Sequence, residues 1–135
     1  MSNLPVSTPK ATSETQPFWD ATARGVVLLP RCNDCDIVIW YPRRFCPLCA
    51  SRSVTWFEAS GLGTIYSYTL ITKGGGRFRD VGPFVFAYVE LAEGPRIMTN
   101  IVECDPAALS IGQRVRAVFD DTGEGSALLR FAPLS

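Results

Sequence analysis

Four cysteines fall in two equally spaced pairs, Cys32-Asn33-Asp34-Cys35 and Cys46-Pro47-Leu48-Cys49, with ten residues between the pairs. That spacing lets two tight turns present two thiolates each, so four sulfurs can close a tetrahedron around one metal ion. Whatever else the chain does, residues 32–49 must double back on themselves. Two disulfides would be the ordinary alternative. Disulfides suit small secreted domains, however, and no charged-then-apolar leader ending in a cleavage site is read at the start of this sequence.

A catalytic zinc keeps one coordination position for water or substrate, whereas four cysteines fill them all. The expectation is a structural Zn2+ held by Cys32, Cys35, Cys46 and Cys49 in a zinc ribbon. Four thiolates suit iron as well, as in a rubredoxin-like electron carrier, and the spacing leaves that reading open. Cys104 stands apart in Ile101-Val102-Glu103-Cys104-Asp105, where a lone thiol at the end of an apolar strand reads as packing rather than as a nucleophile.

The sequence contains no histidine. That removes the commonest general acid or base, the usual activator of serine and cysteine, and the most common metal ligand, so catalysis by this chain alone is not expected. With 135 residues, 47% of them apolar, the chain can bury one real core beside a small metal-bound unit. No stretch approaches the roughly 20 apolar residues of a membrane span, and reduced, ligand-spaced thiols point to the cytoplasm. Thirteen basic and thirteen acidic side chains cancel overall but segregate along the chain. Residues 23–79 carry a net +5 and residues 80–135 a net −4, which points to a local anionic partner.

Residues 1–12, rich in Ser, Thr, Pro and Asn, read as a flexible tail. Residues 13–53 read as a helix followed by the ribbon. Ser13 or Thr15 can cap the helix, Pro17 fits its first turn, and Gly25 offers a left-handed stop. The adjacent rings of Phe18 and Trp19 can serve as packing or as a partner-binding surface. Strands are expected at 26–31 and 37–41, entering and leaving the first knuckle, with Arg43 and Arg44 exposed just before the second. Residues 54–135 read as the second module, with strands at 54–59, 63–71, 84–91, 96–102, 114–119 and 127–131. These are rich in aromatic and β-branched residues and separated by glycine-containing turns. Five or six such strands, one long enough to bend at a small residue, favour a small closed barrel of the OB-fold type. The fold class expected is thus mainly β: an N-terminal helix, a four-cysteine zinc ribbon, then a five- to six-stranded OB-fold barrel.

The connection Lys73-Gly74-Gly75-Gly76-Arg77-Phe78-Arg79 is the second informative feature. Three successive glycines let backbone amides approach a ligand closely, Lys73, Arg77 and Arg79 supply positive charge, and Phe78 supplies a flat apolar face. Phosphates together with an adenine or a pantetheine would suit that mixture. It is not a Walker loop, because the lysine precedes the glycines.

The order Pro17-Phe18-Trp19-Asp20, Arg31-Cys32-x-x-Cys35, Trp40-x-Pro42-Arg43, Cys46-Pro47-x-Cys49, then Gly61-x-Gly63-Thr64-Ile65-Tyr66-Ser67-Tyr68, resembles a known family. In that family a rubredoxin-like zinc ribbon precedes an acyl-CoA-associated OB-fold, and the family was first described under domain of unknown function 35. Pro83 to Leu91 and Gly94-Pro95-Arg96 extend the resemblance, as do Gly112 and the strand containing Phe131. A glycine often follows the second cysteine of each knuckle. Here those sites are Asp36 and Ala50, and because alanine accepts the left-handed conformation poorly, the second knuckle is expected to turn differently.

The resemblance implies an accessory subunit of a thiolase-like enzyme, such as a thiolase or a side-chain aldolase of steroid metabolism. It also implies a heterotetramer with the partner dimer, and some members are joined to hydratases of the MaoC type. The partner would carry the catalytic groups, and acyl-CoA would sit at the shared interface, with Arg43, Arg44, Lys73, Arg77, Phe78 and Arg79 near the nucleotide. The competing reading is a single-stranded nucleic-acid-binding protein that stacks bases on Phe84, Phe86, Tyr66 and Tyr68. Zero net charge and the acidic second half argue against it.

Overall fold

The computed structural model describes residues 4–134. Residues 4–12 form no helix or strand; Leu4 is buried, and the Pro5 carbonyl accepts a hydrogen bond from Arg130. The first three residues of the expected tail lie outside the described residues. Helix α1 spans Gln16–Thr22, with Pro17 in its first turn. Thr15 occupies the N-cap position without capping through its side chain; its Oγ1 accepts instead from the Thr12 amide. Gly25 at φ 71° ends the segment as a left-handed stop. The buried face of α1 is Phe18, Ala21 and Thr22. Thr22 Oγ1 accepts from the Ala127 amide at 3.0 Å, which ties the helix to the last strand of the barrel.

Strand β1 (Leu28–Cys32) pairs antiparallel with β2 (Val54–Glu58) in a separate two-stranded sheet. Two expectations change here. The strand expected at 54–59 as the opening of the barrel belongs instead to this ribbon hairpin. Residues 37–41 make only an isolated bridge, Arg31 to Val38, on the edge of β1 away from β2, because Pro30 has no N–H to extend that ladder and Pro42 blocks any continuation.

The barrel is closed in the order β3-β4-β5-β7-β6, from β3 (Leu62–Ile71), β4 (Phe84–Leu91), β5 (Arg96–Ile101), β6 (Arg114–Asp121) and β7 (Ala127–Pro133). Strict alternation in β4 turns Val85, Ala87, Val89 and Leu91 inward. Their partners in the core are Ile65, Ile97, Ile101, Val115 and Phe131, joined from outside the barrel by Phe18, Val27 and Leu29. Burying Phe18 in this way is worth about 2–3 kcal/mol. A bulge between Ile65 and Ser67 bends β3 so that it pairs with β4 along most of its length and with β6 at its start. Gly63 permits the bend, since a Cβ there would lie 2.7 Å from the Glu90 carbonyl oxygen. The seam between β5 and β7 is parallel and short, with Ile101 opposite Phe131. Beside it a buried side-chain cluster joins three strands: Arg130 of β7 donates to Asp120 of β6 at 3.1 Å and to Asn100 of β5.

Candidate metal centre and flanking surfaces

The two knuckles are built by the same backbone scheme. The Cys32 amide donates to the Ile37 carbonyl and the Asp36 amide to the Cys32 carbonyl; likewise the Cys46 amide donates to Ser51 and the Ala50 amide to Cys46. Both closing residues take the left-handed conformation, Asp36 at φ 65° and Ala50 at φ 64°. The second knuckle therefore does not turn differently, because alanine accepts the strained conformation once the two hydrogen bonds of the turn impose it. Asn33 ties the first knuckle to the start of β2, donating to Ser53 and Thr55 through its side-chain amide.

These turns gather Cys32, Cys35, Cys46 and Cys49 so that all four sulfurs lie within 4.8 Å of one another. Cys32 and Cys49 are 3.6 Å apart and Cys35 and Cys46 3.5 Å. A tetrahedral zinc at about 2.3 Å from each sulfur needs an edge of about 3.8 Å, so the residues present fit the ion with little adjustment. The thiols also repel one another's charge. At Cys32 the Cys35 backbone amide outweighs burial and pulls the thiol down to about 6. At Cys35 the Ile37 amide pulls down, but burial and the neighbouring sulfurs outweigh it and push the thiol up to about 12. At Cys49 the Ser51 amide pulls down, but burial and the Cys32 sulfur outweigh it and push the thiol up, so the set favours one thiolate until a dication is bound. Cys104 has no such company. Burial, with Asp105 adding to it, raises its thiol above the usual range, in keeping with a packing role.

The other expected site residues fall into separate places. Arg43 and Arg44 are exposed, but Arg44 is engaged: its amide donates to Glu14 at 2.9 Å and its guanidinium to Ser13. Arg77 is bonded to Ser7 of the N-terminal segment. Lys73 and Arg79 are exposed and form no ion pair among the described residues. The glycine connection is shaped rather than open. Residues Gly76–Phe78 make a 3-10 turn, and the Phe78 ring packs 4.9 Å from Phe84. A Cβ on Gly74 would come within 2.7 Å of the Phe78 Cβ. Lys73, Phe78, Phe84, Phe86 and Asn100 line an apolar pocket of about 360 Å3 at this turn, and neither Arg43 nor Arg44 reaches it.

Phe18 is 1% exposed and packs in the core, though it also lines the cleft described below. It is the hub of an aromatic group, edge-on to Trp19 at 4.9 Å and Trp40 at 5.4 Å. Trp19 stays half-exposed, with its Nε1 donating to the Tyr41 hydroxyl at 2.9 Å. Between these rings and the barrel lies a cleft of about 280 Å3 that Phe86, Met98, Asn100 and Arg130 also line. No motif marks this cleft, because five separate segments build it.

Residues 19–55 match the family described as the rubredoxin-like zinc ribbon domain of ChsH2, and residues 56–120 match that described as its C-terminal OB-fold domain. A DUF35 domain-containing scaffold protein of Methanothermobacter thermautotrophicus is 39% identical over 90 residues, covering 66% of this chain and 68% of that protein. The chain belongs to the DUF35 family. Its four clustered cysteines are the metal site of the zinc ribbon, and its barrel is the OB-fold. The 3-oxo-4,17-pregnadiene-20-carboxyl-CoA hydratase alpha subunit of Mycobacterium tuberculosis is 30% identical over 121 residues, which are 84% of this chain but 36% of that protein. A solved structure described as Ltp2-ChsH2(DUF35) aldolase superimposes with a TM-score of 0.81 at 28% identity, over 93% of this chain and 98% of that one. The chain thus spans about two thirds of the archaeal DUF35 relative and about a third of the hydratase subunit. No helix among the described residues is long and apolar enough to cross a membrane.

Proposed function

We propose that this DUF35 protein is a non-catalytic, zinc-stabilised accessory subunit that binds a thiolase-like enzyme, a thiolase or a side-chain aldolase, and supports its binding of acyl-CoA. The observation that carries this reading is the near full-length likeness to the DUF35 chain of an aldolase assembly. The chemistry is consistent with it: the metal has all four positions filled by sulfur, and no histidine exists to act as base. The zinc holds the two knuckles together and takes no part in turnover. Lys73 and Arg79 offer exposed cations beside the apolar pocket at Phe78 and Phe84, a combination that suits nucleotide phosphates next to a base. Arg77 joins them when Ser7 is displaced. Tyr66 is poorly placed for base stacking, because the Arg96 guanidinium covers its ring at 3.8 Å and is itself paired with Glu90.

The test is to tag the chain in its own host, recover it at low salt and identify what co-elutes, together with its metal. A stoichiometric thiolase-like subunit with zinc is the expected result, and in that complex Arg79→Glu raises the KM for acyl-CoA. Nucleic acid in place of an enzyme, or a solitary iron-loaded chain, would refute the reading.

A further inference from the structure

Three of the exposed large side chains of the barrel, Tyr66, Tyr88 and Met98, share one strip, while Leu70, Ile111 and Leu134 lie elsewhere. On the outer face of β4 and β5, Tyr88 and Met98 stand directly opposite each other, 42% and 57% exposed. The next pair on that face is Glu90 and Arg96, joined by a 3.0 Å ion pair. Arg96 in turn lies over Tyr66, the extra residue of the β3 bulge. In the other direction the next pair is Phe86 and Asn100, which with Met98 line the cleft under Trp19 and Tyr41. One strip therefore runs from the bulge of β3 to the aromatic group at the ribbon, and no motif in the sequence marks it.

Every charge in the strip is answered within it, Arg96 by Glu90 and Arg130 by Asp120. A nucleic acid would need unpaired cations to neutralise its phosphates. A neutral face of Tyr, Met and paired Arg has instead the composition found at the dehydrated centre of protein–protein interfaces. The cleft, at about 280 Å3, falls just below the roughly 300–1,000 Å3 of small-molecule sites and so suits a protein side chain better than a whole ligand. A second copy meeting the strip about a twofold axis through Tyr88 and Met98 would lay its Glu90–Arg96 ion pair, rather than an apolar side chain, over the cleft.

We propose that this strip, centred on Tyr88 and Met98 and ending in the cleft at Tyr41, is the face on which the acyl-CoA enzyme subunit docks, with an apolar, uncharged segment of that subunit filling the cleft. The inference rests on the accessory-subunit reading and names the surface that serves it. The zinc knuckles, with Leu48 71% exposed, lie outside the docking face.

The experiment measures binding of the purified enzyme partner to the full chain and to Met98→Glu, Tyr88→Glu and Leu48→Glu. A charge placed at the centre of an interface is expected to weaken binding at least about tenfold. The two strip variants should therefore lose affinity at unchanged zinc content and thermal midpoint, while Leu48→Glu binds like the parent. Should Met98→Glu lower the thermal midpoint, Met98→Gln supplies the same comparison. Strip variants that bind normally, or a loss confined to Leu48→Glu, would overturn the docking face and leave the accessory role standing. A parent chain that binds no such enzyme would overturn both. If Met98→Glu merely splits a dimer of this chain and leaves enzyme binding intact, the strip belongs to a second copy and the proposal fails.

Discussion

Ala50 holds a conformation that its side chain disfavours. At φ 64° the Cβ crowds the following carbonyl, at a cost of about 1–2 kcal/mol for an ordinary L-residue. The turn enforces it, because the Ala50 amide must close on the Cys46 carbonyl for Cys46 and Cys49 to present their sulfurs to the same point. Glycine at 50 would relieve the strain and give back about 0.5–1 kcal/mol through the greater freedom of the unfolded chain. Ala50→Gly is thus expected to stabilise the zinc-loaded protein by up to about 1 kcal/mol. Asp36→Gly should do less, since aspartate tolerates the left-handed region better. Urea midpoints decide the point, and a lower midpoint for Ala50→Gly would mean that the turn is not strained. The sequence located both sites correctly but not their outcome, because propensity ranks a residue's preference and says nothing about how firmly its neighbours override it.

The ribbon and the barrel differ in what holds them. Fully buried apolar contact in the ribbon amounts to Cys32, Ile39 and Cys46, flanked by Cys35, Ile37 and Val54, too little to fold without the metal. The barrel has its own core, and α1 and β1 contribute Phe18 and Leu29 to it. Stripping the metal with a strong chelator should therefore melt the knuckles alone. Hydrogen exchange is expected to show lost protection at the Ile39, Cys46 and Ala50 amides and retained protection in β4 and β5. Loss of protection throughout would show instead that the barrel depends on the ribbon. At this level the sequence was read well for α1 and for β3 to β7, where periodicity is long and regular. The strand at 54–59 is present but pairs with β1 instead of opening the barrel, and 37–41 forms only an isolated bridge, because a short apolar run carries no label for its partner.

Three strands and the N-terminal segment meet at Arg130, which is 6% exposed. Its guanidinium donates to Asp120 of β6, to Asn100 of β5 and to the Pro5 carbonyl at 2.9 Å. It thereby reinforces the seam at which the barrel closes through one short parallel pairing. Removing one member of a buried ion pair leaves a charge in a poor solvent and costs about 3–5 kcal/mol. Arg130→Ala should accordingly lower stability by about that amount in denaturant unfolding. Arg130→Lys should recover only part of it, since an ammonium cannot bond in three directions with the same planar fork. A midpoint unchanged in Arg130→Ala would show that the seam is closed by the backbone alone. Nothing in the sequence set Arg130 apart from the other cations.

Spacing alone set the metal's ligands: two pairs of cysteines with two residues inside each leave the backbone few ways to turn, so the four sulfurs and the closed coordination shell followed from the chain. Alternating β-branched and aromatic residues likewise announced a barrel, because a strand's two faces are written two residues apart. The surface was decided only by the tertiary structure. Phe18 and Trp19 are neighbours in sequence, yet one is buried in the core and the other stays half-exposed at the cleft. Arg77 and Arg79 share a loop, yet Ser7, some seventy residues away, engages only the first. Which aromatics face solvent, and which cations are already paired, depends on the bulge in β3 and the closure of β5 on β7, and these join residues whose separation along the chain carries no local signal.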